Sequence, residues 1–141
     1  MNEKGMTLIE ILASIVILSI IVVSLLSFFV QTARSNNVSK NIMDATYVAE
    51  NEMEEVYSQI KASTSLATLA TPAGYTQKGK TTVTAFYEKN VPLVNPKHYI
   101  TLELVSAAVG DPIVKVKVKV YKDNTKAMLE AQMEMLVQWK K

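Results

Sequence analysis

Cysteine is absent from all 141 residues, so no disulfide staples a domain and no thiolate holds a metal. Glycine and proline number only four each, and neither occurs between Met6 and Lys61, leaving that stretch without a helix breaker. Charge of either sign has little excess. Fifteen Lys and Arg against thirteen Asp and Glu leave a formal net charge of +2, too small to imply nucleic acid by itself. The single histidine, His98, has no cysteine and no carboxylate cluster beside it in the sequence, so no metal site is expected. No Ser–His–acid arrangement, phosphate-cradling glycine loop or spaced carboxylate pair stands out. The expectation is a protein that is not an enzyme, with no catalytic residue, no cofactor and no small-molecule substrate.

What is present begins with residues 11–30, a run with no charge, broken in its apolar character only by Ser14, Ser19, Ser24 and Ser27. Twenty residues at a helical rise of about 1.5 Å span roughly 30 Å, the thickness of a bilayer's hydrocarbon core. A helix this apolar on all sides sits in lipid or is sheathed by other protein. Glu10 stands at the lip of the run. An acid inside a membrane helix costs about 2.5–3.5 kcal/mol, so such a residue usually has a partner and a role. A secretory signal would have a shorter apolar region, about 7–15 residues, and a small-residue cleavage site; Val30-Gln31-Thr32-Ala33-Arg34 offers no convincing one. A plain single-span anchor accounts for the length, but not for Glu10 or for Gly5 five residues before it.

The stretch Met1-Asn2-Glu3-Lys4-Gly5, then Met6-Thr7-Leu8-Ile9-Glu10 and the apolar run, resembles the N-terminus of type IV pilins and of the pseudopilins of type II secretion and competence systems. The resemblance covers roughly residues 1–60. It implies a leader of residues 1–5 cut after Gly5 by prepilin peptidase on the cytoplasmic side, with Met6 as the new, N-methylated terminus. The family most often has Phe where this chain has Met6. Glu10 matches the family's glutamate five residues into the mature chain, and its role there is subunit assembly: its carboxylate pairs with a neighbouring subunit's terminal amine in a low-dielectric bundle. Many major pilins carry a proline about two-thirds along the apolar segment, where this chain has Ser27. That departure suits a pseudopilin or minor pilin. The implied partners are prepilin peptidase, other pilin or pseudopilin subunits, an inner-membrane platform protein, a cytoplasmic ATPase, and membrane lipid before assembly. The implied location is the cell membrane, single-pass with a cytoplasmic N-terminus, and then a pilus or pseudopilus at the cell surface.

The length leaves room for one small domain beside the anchor. Beyond residue 30 the helical period continues in amphipathic form. Val38, Ile42, Ala45, Ala49, Met53, Val56 and Ile60 make one apolar stripe, opposite Arg34, Lys40, Asp44, Glu50, Glu54 and Lys61. One helix over about 7–61 is therefore expected, its segment 6–30 in the membrane or fibre core and its segment 31–61 packing on a soluble sheet. Ala49-Glu50-Asn51-Glu52-Met53-Glu54 also resembles the helix of one minor-pilin class.

Residues 62–80 read as a connecting loop, with Pro72-Ala73-Gly74-Tyr75 and Lys78-Gly79-Lys80 as turn signals; Tyr75 there is expected to cap the edge of the core. Residues 81–141 read as antiparallel sheet. Strands are expected over 81–87, over 98–105 after Pro96, and over 113–121, where Val114, Val116, Val118 and Val120 alternate with Lys115, Lys117 and Lys119. Residues 127–139 have helix-favouring composition but an alternating pattern, and pairing decides for strand. A tight turn at Asn124-Thr125 would place Lys115 opposite Glu134 and Lys119 opposite Glu130. It would also place Val116, Val118 and Val120 opposite Met133, Ala131 and Leu129. Neutralised in this way, the lysine stripe 115–122 is a solvated sheet face, and DNA is not expected as a partner. The fold class is thus α+β and pilin-like, a long N-terminal helix packed on a small antiparallel sheet.

Overall fold

The computed structural model describes residues 7–91 and 98–140. One α-helix, α1 (Leu8–Ala62), precedes five strands: β1 (Thr76–Lys80), β2 (Thr84–Val91), β3 (His98–Ser106), β4 (Ile113–Tyr121) and β5 (Leu129–Gln138). The strands form one antiparallel sheet in the order β1-β2-β3-β4-β5, each paired with its neighbour in sequence. The chain divides into two compact units, Met1–Ser39 and Lys40–Lys141.

In the first unit every described residue is exposed and helical, apart from the cap residue Thr7. In the second unit Ala45, Val48, Ala49, Met53, Val56 and Ile60 of α1 are buried against the sheet. They follow helical spacing, so a single stripe of α1 supplies one side of the core. The other side is the inner face of the sheet: Tyr87 of β2, Ile100, Leu102 and Leu104 of β3, and Val114, Val116, Val118 and Val120 of β4. β3 alternates buried and half-buried along its whole length, as a strand with one face on the core must. Ile42, expected on the packed stripe, is 46% exposed; burial on the sheet starts at Ala45.

Two further expectations are corrected. Residues 76–80, read as loop, form β1. Their composition carries no apolar alternation because β1 is an edge strand lying mostly at the surface. The β4–β5 register also differs by two residues from the one the sequence predicts: Lys117 lies opposite Glu134, Lys115 opposite Leu136, and Val120 opposite Ala131. The turn is wider than two residues. The Asp123 carboxylate accepts the Thr125 backbone N–H at 2.9 Å, Lys126 takes a positive φ of 59°, and the Lys122 N–H closes the loop on the Met128 carbonyl at 3.0 Å. A slip of two keeps every side chain on its expected face, so Lys115 still reaches Glu134, now diagonally, at 2.7 Å.

Glu130 is the exception. The register breaks between Val120 and Tyr121, which leaves Glu130 as the extra residue of a bulge. Its side chain is 5% exposed and its Oε2 lies 3.2 Å from Nδ1 of His98, itself 2% exposed. The two atoms are close without the alignment of a hydrogen bond. The sequence reading gives His98 no neighbouring carboxylate cluster and pairs Glu130 with Lys119. The structure instead brings one carboxylate to His98 and leaves Lys119 opposite Gln132.

Candidate assembly site at the helix N-terminus

Gly5 and Met6, the expected cleavage and methylation residues, lie outside the described residues. The description starts at Thr7, which caps α1. Its carbonyl accepts the Glu10 N–H at 3.0 Å and the Ile11 N–H at 3.2 Å. Glu10 reaches back, its Oε2 accepting the Thr7 N–H at 3.3 Å. This bond is the glutamate half of a capping box; it satisfies one amide that a helix start would otherwise leave without a partner. Glu10 therefore has a local structural duty within its own chain. The spacing Thr7 to Glu10 is legible in the sequence, but the sequence reading concentrates on charge and does not use it.

Past Glu10 the helix presents apolar side chains in every direction. Ile17 is 59% exposed, Leu18 60% and Phe29 65%, and the most apolar 18-residue window of α1 has a mean hydropathy of 2.9 with nothing of it buried. The four serines of the run do not make it polar. Each hydroxyl donates to a carbonyl of its own helix, Ser14 to Ile11, Ser19 to Ile15, Ser24 to Ile20 and Ser27 to Val23, at 2.8–3.0 Å. Each hydrogen bond hides a donor that lipid could not satisfy. This is a helix long and apolar enough to cross a membrane.

Besides the His98–Glu130 pair, three polar clusters stand out among the described residues of the second unit. On the inner side, Glu52 of α1 pairs with Lys89 of β2 at 2.8 Å, and the Lys89 ammonium lies 5.1 Å from the centre of the Tyr75 ring. Burial, and then the Glu52 charge, push the Tyr75 phenol above its ordinary range. Tyr75 is 8% exposed, at the edge of the core as expected. Glu52 falls at helical spacing from Ala49 and Val56 and could have been assigned to the buried face from that position. On the outer sheet face Glu88 accepts from Tyr99 and Lys126. Those hydrogen bonds hold its carboxyl below the usual range, and the same contact raises the Tyr99 phenol to about 12. Across the same face Lys115 and Lys117 both bind Glu134, at 2.7 and 2.9 Å, and lower its carboxyl to about 2. The lysine stripe is thus partly neutralised, by Glu134 rather than by Glu130. Among the described residues no group of three His, Cys, Asp or Glu side chains converges as a metal site would require.

A helix long and apolar enough to cross a membrane, with a carboxylate at its lip, is thus joined in sequence to a helix-on-sheet domain. The family described as the prokaryotic N-terminal methylation motif matches residues 1–26. The match supports the resemblance of this N-terminus to type IV pilins and pseudopilins. No curated protein and no solved structure matches the chain.

Proposed function

We propose that this chain is a prepilin-like structural subunit, cut after Gly5 by prepilin peptidase, methylated on Met6, and assembled into a type IV pilus or pseudopilus as a minor component. The observation that carries the proposal is the N-terminal motif over residues 1–26, which holds Glu10 and opens an apolar helical run with no burial of its own. Such a helix needs lipid before assembly and neighbouring helices after it. Residues 6–30 then pass from membrane to fibre core, and residues 31–61 continue into the extracytoplasmic domain, with the N-terminus cytoplasmic. A platform protein and an ATPase supply the extraction. The uninterrupted helical hydrogen bonding through Ser27, where many major pilins have proline, favours the minor role. The fibre serves adhesion, motility, DNA uptake or secretion.

The test is intact mass and N-terminal sequencing of the protein from its native host, beside a Gly5→Ala variant. A chain that starts at Met6, carries a methyl group, and is lost in the variant is the expected result. A chain that keeps Met1 would mean a single-pass anchored binding domain that does not polymerise, and one cut near Ala33 a secreted domain.

A further inference from the structure

The two edges of the sheet differ. β1 has five residues, and its pairing with β2 is broken by an irregularity between Gln77 and Gly79, a device that blunts an edge. β5 has ten residues, pairs only with β4, and runs in unbroken register from Ala131 to Gln138. No strand among the described residues covers its outer side. Beside it, between α1 and β5, lies a groove of about 480 Å³ lined by Glu50, Met53, Glu54, Tyr57, Met133 and Met135. Met133 and Met135 are the inward-facing, half-buried residues of β5 and pack against the core. Glu50 and Glu54 lie one turn apart at the exposed rim, and neither has a cation within 4.0 Å among the described residues.

We propose that the β5 edge is a docking site for an extended segment of another protein, added as a sixth strand with a Lys or Arg side chain seated in the groove. The exposed ladder of β5 supplies main-chain hydrogen bonds to any extended chain, and alternate side chains decide which chain binds. An inward-pointing side chain of the added strand must lie over methionines and end at two carboxylates. Lys and Arg do both, with an aliphatic stem and a cationic head, and methionine adapts to the stem it receives. Charge also argues against a second copy. Two β5 edges paired around a two-fold axis bring the acidic rim of each groove toward that of its mate. The inference does not rest on fibre assembly, since it uses only the second unit.

The test uses the full chain in non-ionic detergent and a fluorescein-labelled octapeptide, Thr-Lys-Val-Arg-Val-Lys-Val-Thr, read by anisotropy. Saturable binding is expected, weakened about tenfold in a Glu50→Gln/Glu54→Gln double variant as the charge partners disappear. Binding should vanish when alternate peptide nitrogens are methylated, because strand addition needs those N–H groups. Both glutamates are exposed, so the double variant should keep its fold, which circular dichroism checks. No binding at millimolar peptide, binding indifferent to N-methylation, or binding unchanged in the double variant would each overturn the proposal. A concentration-dependent dimer that competes with the peptide would put a second copy on the edge and overturn it equally.

Discussion

Lys89 on β2 donates to both carboxylate oxygens of Glu52 on α1, at 2.8 and 3.0 Å, with the two side chains only 19% and 10% exposed. The pair ties sheet to helix at the edge of the core. Removing one member strands the other charge away from water, which costs about 3 kcal/mol, whereas replacing both with apolar groups of similar volume is often close to neutral. Glu52→Ala should therefore lower the unfolding free energy by about that amount, and Glu52→Met with Lys89→Met by under about 1 kcal/mol. Urea unfolding followed by the fluorescence of Trp139, which is 5% exposed, measures both. A double variant as unstable as the single one would show that packing, not charge, carries the effect.

Gly74 supports the same cluster from below. Its φ is +74°, and a Cβ built there would lie 3.1 Å from Cε of Lys89. Gly74→Ala thus meets two penalties, a left-handed backbone costing about 1–2 kcal/mol and a push on the lysine that pairs with Glu52. The loss should shrink in a Glu52→Met/Lys89→Met background, where the push displaces no ion pair. Equal losses in both backgrounds would confine the effect to the backbone.

The long helix, the α+β class and the strand β4 were legible because each rests on a period that continues over many residues. α1 was expected over about 7–61 and runs from Leu8 to Ala62. β5 was recovered despite Ala, Met, Glu and Gln because its alternation matches the valines of β4. What escaped was decided by contacts distant in sequence. β1 has no apolar period of its own and exists through its pairing with β2. The register of β5 depends on how Asp123 and Lys126 shape the turn, and the fate of Glu130 depends on a bulge that no local pattern announces. At the candidate site, Glu10 was found by charge in an apolar setting, while its bond to Thr7 was readable from spacing alone.

The pH response of the outer sheet face follows from Glu134. Two lysines lower its carboxyl from 4.5 to about 2. A depressed acid contributes stability that is fully present above its unfolded value and is lost as pH falls through the folded one, so the loss should fall between about pH 4.5 and pH 2. A carboxyl-carbon NMR titration should place Glu134 near 2, and Lys115→Met with Lys117→Met should return it toward 4.5. A midpoint that ignores both substitutions would contradict the hydrogen-bond origin of the shift.

Glu10 has a capping duty and a proposed intersubunit duty, and substitution separates them. Glu10→Gln keeps an oxygen that can accept the Thr7 N–H but removes the charge. If the fibre pairs that charge with a neighbour's Met6 amine, its loss leaves the amine unpaired in an apolar bundle, a cost of about 3–5 kcal/mol and more than a hundredfold in an assembly equilibrium. Processing at Gly5 should continue, while the protein recovered in sheared surface fibres should fall steeply. Thr7→Ala keeps the backbone N–H that Glu10 accepts and changes no charge, so it should leave incorporation in place. Quantifying both variants in the membrane and fibre fractions settles the matter: a Gln variant that assembles like the parent would reduce Glu10 to a helix cap.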